Sequence, residues 1–306
     1  MVIDTHVHVL DTNAPAPDYY REGRMDATVE TLLCEMDRAG VDQAFIISYT
    51  SEDIAAEFLS QGRDPKDLAQ VYSKEYAVRS WAAHRDRFWW FTDHVDPLDP
   101  QAAEKLERDL DAGASGVKLL PVFRGALPNH RGFFPVYELC ARRSVPIILD
   151  LSFWYLGKYT LHNTAPEEAA RIRTFGDYAA LLAPIFEQFS AVRFQLAHCG
   201  AVNLWDVVRE KSVFRPDALG PVMELVRAHP NVTVDVAAIP PDREFWRTLV
   251  PGVGAGKVSF GTDWPYFGRS PEGYRRLWEV VADERVGLSR EQREMVLSGT
   301  ALGLLS

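Results

Sequence analysis

A (β/α)8 barrel is the fold this sequence predicts, and three observations predict it. Short apolar runs recur eight times along the chain, each followed by a stretch with helical spacing. The runs are continuous, as in Phe45-Ile46-Ile47, which suits parallel strands covered on both faces. No composition break is wide enough to be a linker, so residues 1–306 read as a single domain. The runner-up is an open doubly wound sheet. It lacks the glycine-rich turn after the first strand that a dinucleotide site would need.

In order, the first strand is expected over about 2–9. Residues 11–26 hold Pro15, Pro17, Gly23 and the Tyr19-Tyr20 pair and read as a loop. Val29, Leu32, Leu33 and Met36 share one face of a helix over about 27–39, which Gly40 is placed to end. The second strand follows at 43–48, then an irregular or partly helical stretch at 51–65 and a helix over about 67–83. The third strand spans 88–95, and a helix over 100–112, closed by Gly113, leads to the fourth strand at 116–120. Pro135 lies in the first turn of a helix over 134–143, which delivers the fifth strand at 145–150. An aromatic-rich excursion over 152–174 precedes a helix at about 177–189 and the sixth strand at 192–198. A helix over about 217–228, the seventh strand at 232–236, the segment 242–249 and the eighth strand at 257–262 come next. Helices over about 271–281 and 290–297 finish the chain.

With 306 residues, 47% of them hydrophobic, the chain can bury a large core. Its 33 basic and 43 acidic residues give a net charge of -10, which disfavours nucleic acid and anionic membranes as partners. A small anionic substrate stays open, because a local cluster can oppose the global charge. Cys34, Cys140 and Cys199 match neither a disulfide framework nor a zinc ribbon, and no apolar run approaches the ~20 residues of a membrane helix. A cytoplasmic protein with a small-molecule substrate is expected.

Catalytic groups of a barrel sit at the carboxyl ends of its strands, so those ends nominate the site. His6 and His8, two apart on the first strand, project to one face with metal-ligand spacing. The third strand offers Asp93 or His94, the fourth Lys118, the fifth Asp150, the sixth His198 and the eighth Asp263. Imidazoles and carboxylates in a ring suit a divalent metal such as zinc or manganese, with one position open to water or substrate. Blander uses remain open: a core histidine for His198, a turn cap for Asp263, a salt bridge for Lys118, and a polar turn for Asp93-His94-Val95-Asp96.

Five motifs carry a resemblance that spans nearly the whole chain: Asp4-Thr5-His6-Val7-His8, Gly116-Val117-Lys118-Leu119, Leu196-Ala197-His198-Cys199-Gly200, Gly261-Thr262-Asp263-Trp264-Pro265 and Ser298-Gly299-Thr300-Ala301. Together they resemble the amidohydrolase superfamily in its amidohydrolase-related branch, which holds metal-dependent hydrolases, nonoxidative decarboxylases and a few lactonases and hydratases. The resemblance implies a metal, zinc first and manganese second, on His6 and His8. It further implies His198 as ligand or orienting residue, and Asp263 as ligand and general acid/base. The chain departs from the pattern at Asp150, where relatives commonly place histidine; the carboxylate would either bind the metal or hold Lys118 or the substrate. Leu120 and Thr300 are smaller departures, from a histidine and from an asparagine that caps the last helix.

The function these residues predict is metal-dependent hydrolysis of a small carboxylate-bearing or cyclic molecule. Decarboxylation of an aromatic or unsaturated acid is the alternative, and a metal-free lactonase or binding barrel stands behind it. Lys118, Arg124, Trp154 and Trp264 are the expected substrate contacts, in a pocket also lined by Tyr19, Tyr20, Phe123, Phe153, Tyr155, Tyr266, Phe267 and Arg269. The same aromatics could instead form a homo-oligomer face.

Overall fold

A computed structural model of the chain describes residues 1–306 apart from 17–25, 61, 94, 152–160, 202, 207–210, 215, 240 and 268–270. Strands β1 (Ile3–Val7), β2 (Gln43–Ile47), β3 (Phe88–Thr92), β4 (Gly116–Leu119), β5 (Ile147–Leu149) and β6 (Phe194–Leu196) pair in parallel in sequence order. An antiparallel ribbon, β7 (Asn203–Asp206) with β8 (Lys211–Phe214), interrupts the series. The barrel then resumes with β9 (Val232–Asp235) and β10 (Val258–Ser259), again parallel. The two sheet edges meet: Thr5 N donates to Phe260 O (2.9 Å), Asp263 N to His6 O (2.8 Å) and His8 N to Trp264 O (2.7 Å).

Helices α1 (Val29–Ala39), α2 (Ala55–Ser60), α3 (Lys74–Ala83), α4 (Ala102–Asp111), α5 (Phe134–Arg143), α6 (Pro166–Ala169), α7 (Phe175–Gln188), α8 (Pro216–Ala228), α9 (Arg243–Val253), α10 (Pro271–Ala282), α11 (Arg290–Glu294) and α12 (Thr300–Leu305) are joined by further short helical turns. Their starts and stops follow local chemistry. The Thr28 hydroxyl caps α1 by accepting from Thr31 N, and Gly40 ends it at φ 76°, a left-handed conformation that costs glycine little. Thr174 and Asp177 form a reciprocal capping box on α7.

Two apolar layers result. The larger lies between strands and helices. The smaller fills the barrel itself with Ile3, Phe45, Ile47, Phe91, Ile148 and Ala197, and Ala301 and Leu304 of α12 close it from below. Gly116 is required by this packing, because a Cβ there would lie 2.5 Å from the Phe91 ring and 2.7 Å from Pro146 O.

The predicted barrel is present, with differences in detail. The stretch 257–262 contributes only Val258–Ser259 as regular strand, and beyond it the Asp4 carboxylate accepts from Thr262 N (3.0 Å) and Thr262 Oγ1 (2.6 Å). Segment 51–65 holds α2, and 242–249 opens the full helix α9. Neither the ribbon nor α12 is anticipated by the sequence pattern; the helix expected to stop at 297 continues through a π-helical turn, Met295–Gly299. Thr300 therefore caps nothing and instead donates its hydroxyl to Ala255 O (3.1 Å).

Candidate metal centre at the barrel mouth

The register of β1 against β2 shifts between Asp4 and Val7, and this irregularity helps aim His6 and His8 together into the mouth. Each ring is held from behind. His8 Nδ1 lies 2.9 Å from Ile47 O, and since a carbonyl can only accept, Nδ1 carries the hydrogen. His6 Nδ1 lies 2.9 Å from Asp235 Oδ2 in the same manner. Both Nε2 atoms are thereby left as lone pairs.

Asp263 Oδ1 faces them, 3.4 Å from His8 Nε2 and 3.7 Å from His6 Nε2, and one ligand atom from each of the three residues falls within 4.8 Å of the others. Ligand atoms about 2.0–2.2 Å from a tetrahedral ion lie about 3.3–3.6 Å from one another. Two imidazoles and a carboxylate at this spacing fit a divalent metal and leave a further position open. Burial pushes both histidines down, so they stay neutral as ligands must be. Burial would push Asp263 up, but the imidazoles around it, His8, His198 and His6, outweigh it and hold the carboxylate below its usual range.

Asp235 is the residue that sequence reasoning missed. Its Oδ2 takes His6 Nδ1 and Gln195 Nε2 (3.0 Å), while Oδ1 takes the backbone N–H of His198 (2.7 Å) and of Ala237 (3.0 Å). One carboxylate thus orients His6 and anchors the turn that carries His198, as outer-shell partners of metal ligands do. The available signal was Val232-Thr233-Val234-Asp235, an apolar run ending in a carboxylate like the one that nominated Asp263. Asp4 plays a comparable part on β1, receiving His6 N (3.0 Å), Thr262 and the Tyr274 hydroxyl (2.6 Å); burial raises its carboxyl to about 7 against these donors.

The five expected ligands fall into two groups. His6, His8 and Asp263 converge, whereas Asp150 lies between Lys118 (3.5 Å) and His198 Nε2 (3.4 Å). His198 turns Nδ1 to Ala237 O (3.2 Å) and joins His6 and Asp235 in a second cluster. Burial alone would lower His198, yet the hydrogen bond and charge of Asp150, with the charge of Asp263, hold it up at about 9. Lys118 Nζ reaches His6 Nε2 at 2.9 Å, so two cationic groups border the three ligand atoms. The backbone here is strained: His198, Cys199, Ala238 and Asp263 adopt φ of 56°, 49°, 61° and 66°, all just past the ends of the last three barrel strands.

The expected substrate contacts divide as well. Arg124 is ion-paired with buried Asp53 and donates to Glu52 O. Trp264 is 1% exposed and donates its indole N–H to Glu35 of α1 (2.8 Å), so it packs into the helix layer and not along the mouth. Tyr266 does reach the site, bonding to Tyr49, whose ring packs edge-on against His8 with centroids 4.5 Å apart. Trp154, Tyr19, Tyr20, His94, Phe153, Tyr155 and Arg269 lie outside the described residues.

Against known proteins, a family model described as Amidohydrolase matches residues 3–306. No curated relative matches the chain. Among solved structures, it is similar to 5-carboxyvanillate decarboxylase LigW from Sphingomonas paucimobilis, with TM-score 0.66, 18% identity, and 99% and 98% of the two chains covered. A probable 2-pyrone-4,6-dicarboxylic acid hydrolase from Acinetobacter baumannii, with citric acid bound, gives TM-score 0.61 and 15% identity over 99% and 98%. A dihydroxybenzoic acid decarboxylase from Polaromonas sp. JS666, with manganese and the inhibitor 2-nitroresorcinol, gives 0.61 and 16% over 99% and 96%. At these identities the likeness is one of fold.

Proposed function

The chain belongs to the amidohydrolase family, and from that premise we propose that it is a metal-dependent hydrolase of a small carboxylate-bearing or cyclic molecule. The observation that carries this reading is the convergence of His6 Nε2, His8 Nε2 and Asp263 Oδ1, each imidazole fixed from behind. These three residues would hold the metal, zinc in the first instance and manganese in the second. When bound, it supplies Lewis acidity to a water or substrate oxygen.

The chain's own groups divide the remaining work. Lys118, which lies between His6 and Asp150, binds the substrate carboxylate with Asp150 as its counter-ion. Asp263 takes a proton on its carboxylate as the nucleophile forms and returns it to the leaving group. His198, charged at Nε2 and oriented by Asp235 and Ala237 O, faces the oxyanion that develops.

Nonoxidative decarboxylation of an aromatic or unsaturated acid is the second reading. It is favoured by the two cations beside Asp263, which would hold a carboxylate over the proton donor, and by the activities of the similar decarboxylases. Elemental analysis followed by a panel of esters, lactones, amides and aromatic acids, with carbon dioxide followed in parallel, separates the two. Ring opening or ester cleavage without gas supports hydrolysis; carbon dioxide release from an acid replaces it with decarboxylation. Protein that binds no stoichiometric metal overturns both.

A further inference from the structure

Asp93 follows directly on the end of β3, at the mouth of the barrel. It is 3% exposed, and neither carboxyl oxygen has a hydrogen-bond partner among the described residues. Buried polar atoms are nearly always paired, so this group meets a partner that the fold does not supply. Its position says where that partner would come from. Phe91 belongs to the inner layer of the barrel, and two residues on Asp93 takes the same inward face. Phe91 and Thr92 pair with Gly116 and Val117, so continuing the register sets Asp93 beside Lys118. Lys118 and Lys74 both act on it electrostatically, yet neither bonds to it. Lys74 is committed to Asp109, which also receives the Thr92 hydroxyl.

We propose that Asp93 is a substrate-binding residue whose carboxyl group meets a hydroxyl of the substrate, so that the molecule taken is a hydroxylated carboxylic acid with its carboxylate on Lys118. The choice of hydroxyl follows from chemistry. Burial pushes Asp93 well above the usual carboxylate range. A hydroxyl donates to the ionised form and accepts from the protonated one, whereas an ammonium or a carbonyl suits only one of them. This assignment rests on the carboxylate-bearing substrate of the proposed function.

The test measures affinities of the metal-loaded protein for benzoate and for 2-, 3- and 4-hydroxybenzoate by calorimetry. At least one hydroxy acid binds about tenfold more tightly than benzoate, the worth of one hydrogen bond made in a buried site. Asp93→Leu and Asp93→Ala abolish that preference and leave benzoate affinity unchanged, while Asp93→Asn, which still accepts a hydrogen bond, keeps part of it. Lys118→Met weakens all four acids alike. If the parent binds none of them, the carboxylate reading fails and takes this one with it. If all four bind equally, or the preference survives in Asp93→Leu, only the assignment of Asp93 is overturned. A lowered melting temperature in Asp93→Leu together with an unchanged preference makes the carboxyl structural and overturns it too.

Discussion

The two ends of the barrel are built from the same strands and obey different rules. Inside the barrel, Ile3, Phe45, Ile47, Phe91 and Ile148 form one apolar cluster that Ala301 and Leu304 of α12 close from below. At the top, the same strands end in His6, His8, Lys118, Asp150 and His198, all buried or nearly so, and the backbone of the last three strand ends is forced to positive φ. Between the ends lies a layer that is polar but fully paired: Ser259 Oγ donates to Gln195 Oε1 (2.9 Å), and Thr5 Oγ1 donates to Phe260 O (2.9 Å). The bottom stabilises; the top holds charges that an apolar plug would make cheaper. Apolar burial below offsets strain and desolvation above.

Four measurements break or sharpen that contrast. The largest effect is expected from His6→Ala combined with His8→Ala, which should take metal content from about one equivalent to none by elemental analysis. Retention in that double variant would place the metal elsewhere at the mouth. Next comes Asp263→Asn, which preserves shape but removes the base; turnover should fall by about 10² to 10⁴ in a folded, metal-loaded protein. Activity within a few-fold of the parent would move the proton transfer to His198.

At the bottom, Leu304→Ala should cost about 2–5 kcal/mol of stability in denaturant titration while metal content stays the same. Loss of metal in that variant would show that the two ends are not separable. The smallest effect is electrostatic. In metal-stripped protein His198 is raised from 6.5 to about 9, first against burial and then by Asp150, so its stabilisation is complete below 6.5 and lost as pH rises through about 9. Asp150→Asn should flatten the fall in stability over that window and lower the His198 value read by NMR. An unchanged titration would mean that Asp263 alone holds the proton on His198.

Much of this was legible one residue at a time. Apolar runs followed by helical periodicity determine the barrel, because strands buried on both faces must be apolar and each crossover needs a helix. The strand-end rule then nominated His6, His8 and Asp263, since each follows or closes a strand and so belongs to one rim. What only the tertiary structure decided is pairing across the barrel. Nothing in sequence separation tells that Asp235 stands behind His6, 229 residues away, or that Asp150 sits between Lys118 and His198. Trp264 and Arg124 follow strand ends as the pattern requires, yet each meets a carboxylate, Glu35 or Asp53, that the pattern does not name. A side chain's direction is set by the partner that satisfies it, and that partner is a fact of three dimensions.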